Sequence, residues 1–418
     1  MTTSLARNRA YGLLWGGQAI SETGFSASMF AFPLLALAVT GSAAQSGTVL
    51  GAVAVVQLVV GLPAGALADR WNRKKIMLAC EAAQAVALAG LVLALWTGAA
   101  GVVHLIAAAA VIGLCRALFE PAEDATLPRL VSTEQVPAAV AMNAARSNAA
   151  QLGGTALGGV LFAAGRIVPF VFDVVTHVVA FVALLFVRVP PHPAPTGPAP
   201  HLGRDVVEGV RWVWGHRRLR VTALCAISVN LFFSAYYLVI VVLGSERGVG
   251  AAELGVMAAM LGAGGILGAL AAPRLHARFS PYALITGVFW GLTLLTPLAV
   301  FLRSGYATGV LFAAMAFLAP AANTAITTHQ LLLTPDRLRG RLSGVMGVAS
   351  GVAAAAGPAV GGLLAEFLPD DRAVLVCAAA IAVVTVLAAI SPTLRGFSRD
   401  PAPEDESPEL DRTSGSPT

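Results

Sequence analysis

The stretch Gly65-Ala66-Leu67-Ala68-Asp69-Arg70-Trp71-Asn72-Arg73-Lys74-Lys75 decides how the chain reads. It ends one long apolar run, Ser46 to Ala68, and precedes another, Ile76 to Trp96. Between them stands a short turn with one acid and four bases. Runs of about twenty apolar residues, rising 1.5 Å per residue, cross ~30 Å of hydrocarbon. The charged turn therefore marks where the chain leaves a membrane and re-enters it.

The whole composition agrees. Over 418 residues the chain is 57% hydrophobic and 12% charged, with mean hydropathy +0.78, too apolar for a soluble globular domain. The net charge of +5 sits in short connecting loops, so membrane topology accounts for it and a nucleic-acid partner is not expected. Cys80, Cys115, Cys225 and Cys377 fall far apart inside apolar runs, with neither disulfide nor zinc spacing, and read as small buried apolar residues. Arg7 and Arg9 precede a run from about Leu13 to Val39 that is too long for a signal peptide and carries Glu22 in its middle, so it counts as the first span.

The expected fold is an all-α membrane protein of twelve transmembrane helices in two six-helix halves. The spans are 13–39, 47–68, 76–97, 101–121, 138–165, 168–188, 219–243, 251–273, 281–302, 305–327, 341–368 and 372–394. With the N-terminus inside, 21 of the 27 Lys and Arg residues fall in cytoplasmic segments and four in outer loops, which places both termini in the cytoplasm of a multi-pass protein of the plasma or inner membrane. The halves are 1–188 and 219–394. Residues 189–218 form a cytoplasmic linker, Pro-rich from Pro190 to Pro200 and continuing into an amphipathic helix around Arg204–Trp214. That helix either lies on the inner membrane surface or is an ordinary linker. Residues 395–418 form an acidic tail rich in Pro and Ser, expected to be disordered.

An internal repeat supports the division. Gly65-Ala66-Leu67-Ala68 recurs 203 residues later as Gly268-Ala269-Leu270-Ala271. At the same offset Gly154-Thr155-Ala156-Leu157-Gly158-Gly159 becomes Gly357-Pro358-Ala359-Val360-Gly361-Gly362. Two parallel copies are the arrangement of a secondary transporter. Gly154, Gly158, Gly357 and Gly361 clear helix faces for close, sliding contact, and Pro358 is expected to break the eleventh span as a hinge. On this register the acid Asp69 faces Ala272 in the second copy.

Ionisable residues inside spans cost ~2.5–3.5 kcal/mol each on insertion scales and default to function. Glu22 lies near the midplane and is the first candidate for proton coupling or substrate contact. Asp173 and His177, four residues apart, share a helix face and either exchange a proton or tie helices together. Arg116, Glu120 and Glu123 are spaced to stack along one side of the fourth span. Phe232, Phe233, Tyr236 and Tyr237 either line a cavity for a flat apolar substrate or pack. Lys74 and Lys75 are the only lysines and follow no glycine, so there is no Walker A loop. Metalloprotease and serine-hydrolase motifs are missing as well, and no enzymatic activity, cofactor or metal is expected.

From about Tyr11 to Leu394 the chain resembles the major facilitator superfamily, and Gly65–Lys75 resembles its signature turn between the second and third helices. Phe119-Glu120-Pro121-Ala122, Leu127-Pro128-Arg129-Leu130-Val131 and Glu208-Gly209-Val210-Arg211-Trp212 resemble the macrolide-efflux-type branch of drug:proton antiporters. The resemblance implies export of a small hydrophobic substrate, a drug or natural product, driven by protons through alternating access. It implies a conformational gate at Gly65, Asp69, Arg70, Arg73 and Arg116, with Asp69 helping to hold one of two states. Thr155 departs from the proline of the family's antiporter motif. The expected partners are the substrate, protons and the lipid bilayer, and a monomer is expected. The rival readings are export of a siderophore or self-made antibiotic, uptake, or a membrane scaffold or sensor that no longer transports.

Overall fold

The computed structural model describes residues 5, 8–189, 210–334, 336–368 and 371–396. Within the helices it leaves out the side chains of residues 62, 65, 66, 68–70, 331–332, 336–341 and 343–344. The expectations placed on Gly65, Asp69, Arg70, most of the linker and the tail lie outside the described residues.

Apolar runs build α1 (Arg9–Thr40), α2 (Ala43–Arg70), α3 (Arg73–Trp96), α4 (Val102–Leu130), α5 (Val136–Ala164) and α6 (Val168–Phe186). After the linker come α7 (Arg217–Glu246), α8 (Ala251–Arg278), α9 (Pro281–Leu295, tightened into a 3-10 segment over Thr296–Val300), α10 (Gly305–Leu332), α11 (Asp336–Phe367) and α12 (Arg372–Ile390). Asn8, Ser42, Asn72 and Ser280 each accept a backbone N–H of the following first turn, which fixes the starts of α1, α2, α3 and α9. No strand occurs among the described residues.

Eleven of these helices are long and apolar enough to cross a membrane. The exception is α5, whose first half carries Asn143, Arg146, Ser147, Asn148 and Gln151. In α6 the usual polarity of a protein surface is reversed. Val171, Val175, Val178 and Val182 are exposed while Asp173, Thr176 and His177 are buried, as a lipid solvent requires.

Helix packing repeats along the chain. The pairs α1–α5, α2–α4 and α3–α6 recur as α7–α11, α8–α10 and α9–α12, and α2–α11 mirrors α8–α5. The repeat has two registers rather than one. Gly154 and Gly158 of α5 abut Thr23, Ser26 and Ala27 of α1, while Gly357 and Gly361 of α11 abut Leu231, Ser234 and Ala235 of α7. Gly159 meets Ala251, and Gly362 meets Ala43. Holding the 203-residue offset for α5 and α11, these contacts shift α1–α3 onto α7–α9 by 208 residues, and helix starts at Arg9/Arg217, Ala43/Ala251 and Arg73/Pro281 agree. The segment from the start of α9 to the start of α10 is five residues shorter than its α3–α4 counterpart, which accounts for the change. The Gly65–Ala68 match to Gly268–Ala271 is therefore out of structural register, and Asp69 corresponds to Ala277 rather than Ala272.

Two smaller expectations are also corrected. The fourth helix continues past residue 121 to Leu130 despite Pro121 and Pro128. Pro358 lies inside an unbroken α11. Of the expected linker helix only its end is described, where Val213 is buried against Leu219, Ala223, Leu342 and Val345.

The four inter-repeat helices meet in their portions nearest the loops opposite the chain termini. There Gly47 lies under the Pro358 carbonyl, Gly255 against Gly159, and the Ala44 N–H donates to Glu366 at 3.3 Å. Glycine is required at these crossings because a Cβ would enter the facing backbone. Towards the termini, α5 presents Val140 and Met142 as exposed side chains.

Candidate functional site

The buried charge of the molecule gathers among α1, α3, α4, α5 and α6. Arg146 on α5, with 3% of its side chain exposed, sits between two acids: Nε and Nη2 donate to Glu22 at 3.1 and 3.2 Å, and Nη1 to Glu123 at 2.8 Å. The Ser147 hydroxyl donates to Glu22 at 3.0 Å. Glu123 thus leaves the stack expected on α4. The remainder of that stack is real, since Arg116 pairs with Glu120 at 2.7 Å and lies over the Phe25 ring at 4.4 Å.

A second cluster is one helical step away. His177 Nδ1 lies 2.6 Å from Glu81 Oε2, and Nε2 lies 3.3 Å from Asp173 without hydrogen-bond alignment. Gln18 donates to Glu81 at 2.8 Å, and Ser21 stands 3.1 Å from His177 Nδ1. Asp173, Glu81 and His177 are 0%, 1% and 2% exposed. The expected Asp173–His177 proximity is present, and its strongest partner is Glu81. Glu81 was legible as an acid inside the apolar run Ile76–Trp96, by the criterion that marks Glu22. Arg146 carried the same signal, but its choice of partners did not.

Both clusters border one cavity of about 30 Å³, lined by Ser21, Glu22, Glu81, Arg116, Glu123 and His177 among others, room for one or two waters. Each cluster is one base between two acids. Fully charged, each holds a net charge of −1, and one added proton neutralises it. Among the described residues no group of His, Cys, Asp and Glu has metal-ligand geometry.

Arg73, of the expected gate, is buried at the start of α3 and donates to the Ala125 carbonyl of α4 at 2.9 Å. Gly154, Gly158, Gly357 and Gly361 sit at the α1–α5 and α7–α11 crossings, inside each repeat rather than between them. The four aromatic residues of α7 divide. Phe232 and Tyr236 stack in the core with centroids 5.3 Å apart, and Tyr237 meets Phe312 edge-on. Phe233 lines a cavity of about 440 Å³ among α7–α10.

Comparison with known proteins agrees with this architecture. The multidrug efflux pump Tap of Mycobacterium tuberculosis is 28% identical over 425 residues, covering 95% of this chain and 96% of Tap, and Tap of Mycobacterium bovis matches equally. Among solved structures, a mutant of the nucleoside transporter NupG has a TM-score of 0.80 at 10% identity, covering 93% of this chain and 100% of that one. A bacterial homologue of the human lysosomal transporter Spinster, inward-facing and unoccupied, has a TM-score of 0.70 at 17% identity, covering 96% and 100%. These low identities speak to the fold alone. The transmembrane secretion effector family matches residues 2–414, nearly the full length, and the chain therefore belongs to this family of major facilitator superfamily transporters.

Proposed function

We propose that this transporter exports a hydrophobic small molecule, a drug or natural product, in exchange for protons by alternating access. Twelve transmembrane helices form two six-helix halves, residues 1–188 and 219–394, that rock about the α2–α11 and α5–α8 crossings. Both termini are cytoplasmic, the protein sits in the inner membrane, and the monomer is the working unit. The observation that carries the reading is the pair of buried acid–base–acid clusters centred on Arg146 and His177, beside a shared water-sized cavity. Glu22, Asp173 and His177, together with Glu81, handle the coupling proton. Arg73 and Arg116 brace helices of the gate to which Gly65, Asp69 and Arg70 are assigned from sequence. The close crossings near the loops opposite the termini support a working cycle that includes a state open on the side of the termini. The similarity to the multidrug efflux pump Tap supports outward transport of drugs.

The test is accumulation of a panel of antibiotics in cells with and without the protein, repeated with a protonophore and with Glu22→Gln. Lower accumulation, abolished by either change, is expected. Efflux that survives the protonophore overturns proton coupling, and unchanged accumulation across the panel overturns drug export.

A further inference from the structure

The two registers of the repeat make the cavity of about 440 Å³ among α7–α10 and the polar cavity of about 30 Å³ corresponding sites. Shifted by 208 residues, Glu22 becomes Asn230, Phe25 becomes Phe233 and Glu81 becomes Phe289. Shifted by 203, Arg116 becomes Ala319, Glu120 becomes Asn323 and Glu123 becomes Ile326. Each ionisable member of the first site borne by α1, α3 or α4 thus has an amide, an aromatic or an aliphatic residue in the second. Replacement of Arg116 by Ala319 and of Phe119 by Ala322 also removes the bulk that fills the first site. One copy is packed with charge, whereas the other is hollow.

We propose that the hollow copy binds the transported molecule, and that it takes an electrically neutral, ring-bearing lipophile with a hydrogen-bonding group. The inference rests on the exporter reading above and names the substrate class of that activity. Its volume lies within the roughly 300–1,000 Å³ typical of sites for drug-sized ligands. Phe233 and Phe289 supply aromatic wall. Among the described residues no acidic or basic one lines it, so a bound cation would meet no counter-charge there and would bear its desolvation cost unaided. The polar handles are amides. Asn230 spends its NH₂ on the Ala226 carbonyl at 2.9 Å and keeps its Oδ1, and Asn323 makes no hydrogen bond among the described residues. Both are exposed side chains of the lining. An amide pair recognises a carbonyl, ether or hydroxyl rather than a charge.

The structure also supplies a way to fill the cavity without harming the fold. Gly265 of α8 lines it, and a Cβ there meets no atom within 4 Å. Gly287 of α9 is equally roomy and lies outside the lining. Both have open space at Cβ, so leucine is the substitution to test at each, the second as a control. The experiment is equilibrium binding of two radiolabelled probes to the purified full-length protein in lipid nanodiscs. Triphenylphosphine oxide is neutral and accepts hydrogen bonds, while methyltriphenylphosphonium is its cationic counterpart with the same three phenyl rings. We expect saturable binding of the oxide, with the cation about tenfold weaker or worse, a difference of ~1.4 kcal/mol. Gly265→Leu is expected to weaken oxide binding by at least about tenfold and Gly287→Leu by less than about twofold.

Absence of saturable oxide binding, equal binding of the cation, or indifference to Gly265→Leu each overturns the proposal. So does a co-purified phospholipid, seen by native mass spectrometry, that the oxide does not displace. Oxide binding that obeys these rules in a protein that lowers no drug accumulation leaves the site standing and removes the exporter reading. The converse, efflux without such binding, removes the site alone.

Discussion

Arg146 shows how a single residue organises the charged half of the molecule. Its guanidinium presents donors to Glu22 and Glu123 at once, from a helix that would otherwise pass as small residues and amides. Removing the cation leaves two carboxylates buried side by side, a loss of about 3–5 kcal/mol for a broken buried pair. Arg146→Ala is therefore expected to lower the unfolding midpoint of the purified protein. Adding Glu22→Gln and Glu123→Gln to it should recover most of that loss without restoring transport. A triple variant as unstable as Arg146→Ala would show that the arginine acts through packing alone.

Glu81 makes the matching point for the second cluster. Glu81→Gln keeps shape and the contact to Gln18, but withdraws the carboxylate beside His177. Proton-driven transport is expected to fall at least about tenfold, the effect of ~1.4 kcal/mol on a rate, while the unfolding midpoint stays near that of the wild-type protein. Measuring drug efflux against an imposed pH gradient, with the melting curve alongside, separates this role from a structural one.

At the scale of the helix, glycine contacts fall into two groups with opposite expectations. Gly158 joins α5 to α1 within one repeat, and a Cβ there would stand 2.5 Å from the Ala27 carbonyl oxygen. Gly158→Leu should therefore destabilise the protein in any state, by ~1–3 kcal/mol as for overpacking. Gly47 joins α2 to α11 across the repeats. If that contact opens and closes during transport, Gly47→Leu disfavours only the closed arrangement. The expected result is a folded protein in which a cysteine introduced at Ala359, which faces Gly47 across the α2–α11 seam, is labelled more readily than in the parent carrying the same cysteine. Equal melting losses for the two variants would contradict the division.

For the molecule as a whole, the crossings opposite the termini are the feature to challenge. The Ala44 N–H lies 3.3 Å from the Glu366 carboxylate across the same seam, so Ala44→Cys with Glu366→Cys should be joined by a short bis-methanethiosulfonate reagent through disulfides that reduction breaks. The cross-link is expected to stop transport and reduction to restore it. Transport that continues in the cross-linked protein would mean that the seam does not open in the working cycle. Reporter fusion at the C-terminus should be active only in its cytoplasmic form, since 21 of the 27 bases lie on that face of the predicted topology.

Much of this protein was legible without coordinates, because the controlling physics is local. A run of apolar residues specifies a membrane-length helix by itself, and the bases in its flanking loops lie within a few residues of it. The repeat, the charged turn at Asp69 and the in-membrane residues Glu22, Asp173 and His177 were visible for the same reason. Tertiary structure alone decided which of these residues meet. Glu22 and Arg146 are 124 residues apart, and Glu81 and His177 are 96 apart. No spacing rule reaches that far. It also decided the register of the repeat. An alignment of small residues scores Gly65–Ala68 against Gly268–Ala271 as identity, whereas a helix crossing admits only the glycine that faces a neighbouring backbone. That steric choice moved the counterpart of Glu22 to Asn230, and with it the pairing of a charged cavity with an apolar one.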